Sequence, residues 1–161
     1  MIKISWNKED NIRDAGCWLS QKIKLIELKD VQEQKGEKRE IKRGGIFYVE
    51  LGEGNLGYEK NKCRPCLVIS NNSVNEGETV RVIPLSTTIK SITKNGKLIP
   101  KYRTDFILEK SKYPFLKEDS CLKLQDIRCI DKIRIKEFLG NIDVKDLDLL
   151  KSKLNFTMGF K

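Results

Sequence analysis

The stretch Cys63–Ser70, which reads CRPCLVIS, contains a CxxC pair with an arginine between the two sulfurs, followed at once by an apolar run. Leu67, Val68 and Ile69 have the β-prone, apolar character of a core strand. Proline fixes its own φ and favours an extended conformation at the residue before it. We therefore expect Arg64 to be held rigidly at the entrance of a core strand, and we ask whether the chemistry belongs to the cysteines or to the arginine.

Similar β-prone runs recur on both sides of this strand, separated by segments rich in Gly or Asn. The runs are IFYVEL from Ile46, TVRVIPLS from Thr79, RTDFILE from Arg103 and SCLKL from Ser120. The pair Asn95-Gly96 is typical of a tight hairpin turn. The pattern predicts a small, strongly twisted antiparallel sheet or barrel in an α+β domain that is mainly β.

A helical pattern precedes these runs. From about residue 11 to residue 34, Leu19, Ile23 and Ile26 recur at helical spacing with Trp18 beside them. This predicts a helix with one apolar face. Because such a face is unfavourable in water, we expect it to pack on the barrel, to extend a dimer or to bind a partner.

The segment QKGEKREIKRGG, residues 34–45, is charged and ends in two glycines, which is typical of a linker. We place a boundary near residue 40. Residues 1–40 then form an N-terminal helical extension and linker, and residues 41–161 form the main domain.

Two short helices are predicted after the strands. Asp131 is placed to cap one that ends at Gly140, and Asp143 is placed to cap a second. The apolar face of the second consists of Leu147, Leu150 and Leu154.

Composition bounds the class of protein. The chain has 161 residues, of which 39% are apolar and 34% charged, so it can fold as one main domain. Its apolar runs are far shorter than a membrane span, and we expect a soluble, cytoplasmic protein. The net charge of +9 favours an anionic partner such as nucleic acid, an acidic protein or a phospholipid surface, although a lysine-rich solvated surface would look the same.

The absence of histidine excludes histidine-dependent nucleases, Ser-His-Asp hydrolases and Cys-His proteases. The cysteines outside the CxxC pair are Cys17, Cys121 and Cys129, which form no second pair for a zinc site. Because the second cysteine of the pair opens a core strand, a thioredoxin-like redox site is not expected either. Five free thiols fit a reducing compartment.

Three other features suit a phosphate-bearing ligand. The planar guanidinium of Arg64 matches phosphate oxygens, although it could simply pair with Glu59. A hydroxyl cluster follows TVRVIPL at a strand end and consists of Ser86, Thr87 and Thr88. These hydroxyls could instead satisfy turn hydrogen bonds. The basic loop beyond them, which has the character to track phosphates or merely to aid solubility, carries Lys90, Lys94, Lys97, Lys101 and Arg103.

Three blocks, in family order, resemble the MazF/PemK toxins of bacterial toxin–antitoxin systems. They read KRGGIFYVELGEG, GYEKNKCRPCLVISNNSVNEGETVRVIPLSTT and DSCLKLQDIRCIDKIRIKEFLG, and the similarity runs from about Lys42 to the end. The resemblance implies an SH3-like barrel, a homodimer and a ribosome-independent endoribonuclease for single-stranded RNA. It also implies an acidic antitoxin as partner and no metal or cofactor.

The resemblance further implies a catalytic pair made of Arg64 and either Ser86 or Thr87, with Glu59 as a candidate base. Such a pair suits a chain without histidine, because RNA supplies its own 2′-OH nucleophile. The implied products are a 2′,3′-cyclic phosphate and a 5′-hydroxyl. The residues expected to contact RNA are Lys62, Thr88, Lys90, Lys94, Gln125 and Arg128.

The chain departs from the family pattern in three places. Gly45 replaces the usual Asp at the entry of the first strand, and Gln125-Asp126 replaces Glu-Gln, which could alter the RNA groove. The extension before residue 40 is absent from compact members. Two alternatives stay open: a gyrase poison resembling CcdB, although the end NFTMGFK lacks Trp, and an inactive relative that binds RNA or its antitoxin.

Overall fold

The computed structural model describes residues 7–36, 39–55, 57–94 and 97–160, without the side chains of residues 94, 97 and 98. Within them a long helix, α1 (Lys8–Lys35), precedes a body of antiparallel strands, and a second helix, α2 (Val144–Met158), follows it. No helix of the described ranges has both the length and the apolar composition to cross a membrane.

The strands of the body are short, and five of them follow the predicted β-prone runs. They are β1 (Gly45–Glu50), β2 (Cys63–Val68), β3 (Thr79–Ser86), β4 (Ser91–Lys94), β5 (Lys97–Pro100), β6 (Asp105–Leu108), β7 (Ser120–Lys123), β8 (Arg128–Asp131) and β9 (Ile135–Asn141). A mainly antiparallel β fold with helices is therefore confirmed.

The main sheet has the order β6-β7-β3-β2-β1-β9, and β8 also pairs with β3. On the edge of β3 away from β2, β8 pairs along Thr79–Val82 and β7 along Leu85–Ser86. The sheet divides at this point. Among the described strands it does not close on itself, since the path ends at β6 and β9, so the predicted barrel is realised as an open, divided sheet.

Strands β1, β2 and β3 are buried on both faces, which explains their nearly uninterrupted apolar runs. On one face Ile46, Leu67 and Ile83 join a core that also contains Leu150 of α2. On the other face the core consists of Ile41, Phe47, Val49, Leu51, Cys66, Val68, Val80, Val82, Ile130 and Ile135. Alternate residues of one strand thus point into two different cores.

The predicted helix from Asp131 to Gly140 is wrong. The Asp131 side chain does accept a hydrogen bond from the Ile133 N–H (2.9 Å), but it caps a single 3-10 turn, Lys132–Arg134. The chain then continues as β9, which pairs with β1. The edge of β1 offers backbone hydrogen bonds that outweigh the local capping signal. The body therefore ends in one helix, α2, and not in two.

The second C-terminal helix is confirmed as α2, which follows Asp143. Leu150 is fully buried, and Leu147 and Leu154 pack half-buried on the same core. The predicted apolar face is the face that the body covers.

The N-terminal helix is confirmed and is longer than predicted, but its apolar face does not pack on the body. No residue of α1 is buried, and Leu19, Ile23 and Ile26 are exposed. Instead α1 touches the body through Trp18, whose ring lies 5.2 Å from the Arg134 guanidinium, and through other polar contacts. The boundary near residue 40 stays a prediction.

The hairpin of β4 and β5 forms a separate two-stranded sheet. Lys94 pairs with Lys97 in its register, while the predicted Asn95-Gly96 turn lies outside the described residues.

Candidate active site

The two central strands bring Arg64 towards Ser86. Cys66 of β2 pairs with Pro84 of β3 in an antiparallel register. Continued by two residues, that register sets Arg64 opposite Ser86 at the open ends of both strands. Arg64 is half-buried, and its Nε donates a hydrogen bond to the Asn61 carbonyl (2.8 Å). The guanidinium is thus oriented by the loop that precedes its own strand.

The two candidate hydroxyls lie in different surroundings. Ser86 lies on the same face of β3 as Val82, and Arg64 lies on the matching face of β2. Thr87 is exposed and lines a small cavity with Pro65 on the opposite face. The Ser86 Oγ accepts a hydrogen bond from the Thr88 N–H (3.3 Å), as the alternative of a turn-forming hydroxyl anticipated.

The loop between β1 and β2 is anchored through the Lys60 carbonyl. That carbonyl accepts hydrogen bonds from Asn55 Nδ2 (2.8 Å) and from Arg128 Nη1 (3.3 Å). Lys62 has φ 62°, a left-handed conformation that is strained for a residue with a side chain. The loop is therefore held in one conformation immediately before Arg64.

A cleft of about 330 Å³ lies beside this loop. Its lining is Glu59, Lys60, Gln125, Asp126, Ile127 and Arg128. Three residues predicted from the sequence, Glu59, Gln125 and Arg128, therefore meet at one place. Glu59 is exposed, and none of the ion pairs among the described residues joins it to Arg64, so the simple surface pair considered from the sequence is not what the structure has.

Sequence reasoning missed the ionisable group in the floor of this cleft. Asp126 is half-buried, with Lys60 Nζ at 3.8 Å. Burial raises the pKa of Asp126, against the opposing effects of Lys60, Lys123 and Arg64. The only signal in the sequence was its position beside Gln125, where it was noted as a departure and not as a site residue.

A buried ion pair lies next to this cleft. Lys123 Nζ contacts Asp105 Oδ2 at 2.6 Å, and both side chains are buried. The other carboxylate oxygen, Asp105 Oδ1, is buried without a hydrogen-bond partner among the described residues. The pKa of Lys123 is raised because the effects of Asp105, Cys121 and Asp126 exceed that of burial. Asp126 experiences both members of the pair: the charge of Lys123 opposes the rise in the pKa of Asp126, and the charge of Asp105 adds to it.

The predicted basic residues are divided between two places. Lys62 is exposed beside Arg64 on the loop. Lys90 is exposed near the β4–β5 hairpin, with its Nζ 5.8 Å from the centre of the Tyr102 ring, and Thr88 lies between the hairpin and Ser86. Lys94 lies on β4, but its side chain is outside the described residues.

The two cysteines that flank Arg64 differ in environment. Cys66 is fully buried in a core, and burial strongly raises the pKa of its thiol. Cys63 is exposed at the strand entrance, and its pKa is raised by burial, while the charge of Lys136 opposes the rise. Because the thiolate is the reactive form, neither sulfur is activated as a nucleophile. In the part of the chain that the structure describes, no three His, Cys, Asp or Glu side chains converge as metal ligands.

An arginine and a hydroxyl at the open end of a twisted sheet, beside a cleft with two further cations, form a site suited to a phosphate group. Residues 42–158 match the model of a family described as PemK-like, MazF-like toxin of type II toxin–antitoxin system. The chain therefore belongs to this family, and the resemblance seen in the three sequence blocks is confirmed. The match begins after α1.

Relatives of known name are similar over the same length. Endoribonuclease MazF of Staphylococcus saprophyticus is 31% identical over 120 residues, which cover 74% of this chain and 92% of that protein. Endoribonuclease EndoA of Bacillus subtilis is 27% identical over 118 residues, 73% of this chain and 94% of that protein.

Solved structures share the fold. Mycobacterium tuberculosis toxin MazF-mt6 superposes with a TM-score of 0.56 at 15% identity, over 73% of this chain and 98% of that one. An endoribonuclease from a mycobacterial species, solved in complex with its cognate antitoxin, gives 0.55 at 20% identity, over 75% and 97%. At these identities the likeness concerns the fold alone.

Proposed function

We propose that this chain, an endoribonuclease of the toxin family, cleaves single-stranded RNA at the end of β2 and β3 without a metal ion. The observation that carries the proposal is the β2–β3 register: continued by two residues beyond Cys66–Pro84 it brings Arg64 opposite Ser86, and Arg64 is close enough to the cleft for its charge to act on Asp126. A rigid sheet that presents a cation and a hydroxyl to one phosphate provides pre-organised charge, and little else is needed when RNA brings its own nucleophile.

In the proposed reaction the 2′-oxygen of one nucleotide attacks the adjacent phosphorus. The P–O5′ bond breaks, and the products are a 2′,3′-cyclic phosphate and a 5′-hydroxyl. Arg64 stabilises the charge that grows on the non-bridging oxygens, because a guanidinium binds them in a bidentate manner. The Ser86 hydroxyl donates a hydrogen bond to the same phosphate. We favour Ser86 over Thr87 because Thr87 lies on the other face of the sheet with Pro65.

Two protons must move in this scheme: one leaves the 2′-OH and one reaches the departing 5′-oxygen. Arg64 is too basic to accept the first. Glu59 is our candidate acceptor, because it lines the cleft and is accessible. Asp126 lies in the same cleft with a raised pKa, which suits a carboxyl group that holds a proton.

The RNA strand would follow the positive residues around this point. Arg128 and Gln125 line the cleft, and Lys62 flanks it. On the other side of Ser86, Thr88, Lys90 and Lys94 would continue the path towards the β4–β5 hairpin. We expect phosphate contacts from the lysines and base contacts from Gln125, since amide groups pair with base edges whereas lysines bind phosphates.

For partners, we propose a homodimer and an acidic antitoxin. One mycobacterial neighbour was solved with its cognate antitoxin. The net charge of +9 favours an acidic segment that would lie over the cleft and compete with RNA.

The deciding experiment incubates the purified chain with long single-stranded RNA in EDTA and maps the new ends by sequencing. We expect cuts at a defined sequence that leave 5′-hydroxyl ends, and at least about 10²-fold slower cleavage by Arg64→Ala. The matched control is Arg81→Ala, which removes an exposed arginine from β3 and should leave the rate unchanged.

A second pair of variants separates the hydroxyls. Ser86→Ala should slow cleavage about 10²-fold, and Thr87→Val should slow it much less. The reverse order would move the role to Thr87. If well-folded wild-type protein binds RNA without cutting it, the proposal fails and the inactive RNA-binding relative takes its place.

A further inference from the structure

Helix α1 turns one row of residues towards the body. The row is half-buried along the helix and consists of Asn11, Asp14, Trp18, Gln21, Leu25, Lys29 and Gln32. Two contacts anchor it: the Trp18 ring near Arg134, and Lys29 Nζ at 2.6 Å from Asp131 Oδ2. These contacts fix which side of α1 points outward.

An apolar stripe lies roughly a third of a turn around the helix from this half-buried row, and nothing in the described chain covers it. Its exposed fractions are 62% at Ile12, 60% at Leu19, 49% at Ile23 and 54% at Ile26. We call these four residues the outer stripe. They recur at spacings of seven, four and three, which place them along one side of the helix. Such a stripe on a soluble chain indicates a helical partner.

The outer stripe is flanked by a positive residue at one end and a negative residue at the other, each four residues beyond the last apolar side chain. Lys8 lies four residues before Ile12, and Asp30 lies four residues after Ile26, so both continue the same side of the helix. Both are exposed, and neither forms an ion pair among the described residues. Leu19 lies midway between Ile12 and Ile26, and midway between Lys8 and Asp30.

This arrangement is complementary to itself when the helix direction is reversed. If Leu19 of one copy faces Leu19 of another in an antiparallel pair, Ile12 lies opposite Ile26 and Lys8 lies opposite Asp30, each twice about a two-fold axis. Ile23 then points at the region of Gly16, where an added Cβ would meet nothing within 4 Å. The open space at Gly16 accommodates a branched side chain at the usual separation of packed helices.

We propose that α1 is an interaction surface for a second copy of this chain, and that two α1 helices pair antiparallel through the outer stripe. A second copy fits better than an unrelated helix, since both the apolar spacing and the end charges match their own reversed pattern. The pairing uses no residue of the cleft, so it does not depend on the proposed function. The row that contacts the body lies about a third of a turn away from the outer stripe, so the pairing uses none of its residues.

Cross-linking tests the geometry in the full chain, with the exposed Cys17, Cys63 and Cys129 replaced by Ser. In that background Leu19→Cys should be joined to a second copy by a short bis-maleimide, because it lies on the two-fold axis. Lys24→Cys, on another side of α1, is the matched control and should stay uncoupled. For direction, a mixture of Ile12→Cys and Ile26→Cys copies should cross-link, whereas Ile12→Cys alone should not.

The register is tested with charge-reversal variants whose association is measured by sedimentation. Lys8→Glu and Asp30→Lys should each weaken association several-fold, and the double variant should restore it, because the opposed pair is rebuilt. Leu19→Asp should weaken association at least tenfold.

Three results overturn the proposal. One is no cross-link at position 19, even if sedimentation shows a dimer, because that dimer would be held by another surface. Another is a double reversal that associates no better than the single ones. A cross-link of Ile12→Cys to itself would show parallel pairing and would likewise reject this register. RNA cleavage is measured separately and is expected to be unchanged by Leu19→Asp.

Discussion

Helix α2 is 15 residues long and lays Leu150 and Asp146 into the body, whereas helix α1 is 28 residues long and buries no residue at all. Both helices have apolar side chains on one side. In α2 that side covers the core beneath β1, β2 and β3. In α1 it points outward, and the helix rests on the body through an aromatic ring and an ion pair. Helical periodicity therefore predicts a helix without telling which surface the apolar side will cover.

The polar anchors of the two helices differ in the same way. Asp146 of α2 is buried, with Tyr113 Oη at 2.6 Å and Lys112 Nζ at 2.9 Å. Lys29 of α1 meets Asp131 where both side chains are about a third exposed. Buried hydrogen-bonded anchors resist water, and partly exposed ones contribute little. We therefore expect α2 to unfold with the body and α1 to detach from it at low cost.

The largest difference in the free energy of unfolding should appear between two leucine variants, one in each helix. Leu150→Ala should lower the free energy of unfolding by about 2–5 kcal/mol, because it leaves a cavity in the core. Leu25→Ala, in the half-buried row of α1, should lower it by less than about 1 kcal/mol. Urea unfolding followed by circular dichroism measures both. Equal losses would mean that α1 is part of the cooperative core.

A smaller difference in the free energy of unfolding is expected between variants of the two carboxylates that anchor the helices, Asp146 and Asp131. Asp146→Asn keeps the shape but removes the charge that Lys112 and Tyr113 contact, and should lower the free energy of unfolding by about 1–3 kcal/mol. Asp131→Asn, its counterpart beneath α1, should cost about 0–1 kcal/mol, because the pair with Lys29 is reached by water. The comparison fails if the order of the two variants is reversed in the same urea titration.

A smaller effect is expected from the aromatic anchor. Trp18→Ala removes the ring that stacks near Arg134 and should leave the unfolding midpoint of the body almost unchanged. Amide hydrogen exchange should become faster throughout α1 and stay the same in α2. Phe156→Ala is a suitable control, since Phe156 of α2 has its ring centre 4.0 Å from the Arg103 guanidinium and makes the equivalent contact for that helix. Unchanged exchange in α1 would show that other contacts hold it.

The smallest effect is a dependence on pH. Burial would raise the pKa of Asp131, but the hydrogen bond from the Ile133 N–H and the contact with Lys29 more than offset it, so the pKa falls below its usual value. A carboxyl group whose pKa is lower in the folded protein than in the unfolded chain stabilises the fold when the pH is above the unfolded-state pKa. This stabilisation is lost as the pH falls through the folded-state pKa. The protection factors of the α1 amides, which correct for the intrinsic exchange rate at each pH, should therefore fall below about pH 4 while those of α2 do not. Asp131→Asn should abolish that dependence.

Local patterns were sufficient for most of the body and for part of the site. The runs around Ile46, Cys66 and Thr79 predicted β1, β2 and β3, because side chains that enter a core from both faces leave an apolar signature. The segment after Asp131 was predicted as a helix and is β9, since the backbone partner that decides it, β1, lies far away in sequence.

The site shows the same division. Arg64 was identified from the residues around it and Glu59 from the family resemblance, and the structure has Glu59 in the β1–β2 loop and Arg64 at the start of β2. Our preference for Ser86 over Thr87 rests on the β2–β3 register and on the cavity that Thr87 shares with Pro65, and the linear sequence displays neither. Asp126 was missed as an ionisable site residue, since a raised pKa arises from burial and neighbouring charges that a linear chain does not display.

By itself the sequence determined what local chemistry and patterning carry: a basic chain without histidine, a mainly β body, two helices and an arginine held before a core strand. The family followed from the order of three blocks, which the match over residues 42–158 confirmed. Only the tertiary structure decided the pairing of β2 with β3, the presence of Asp126 in the same cleft as Glu59, and which side of α1 stays uncovered. These depend on pairing and burial between distant segments, and such contacts have no local signature.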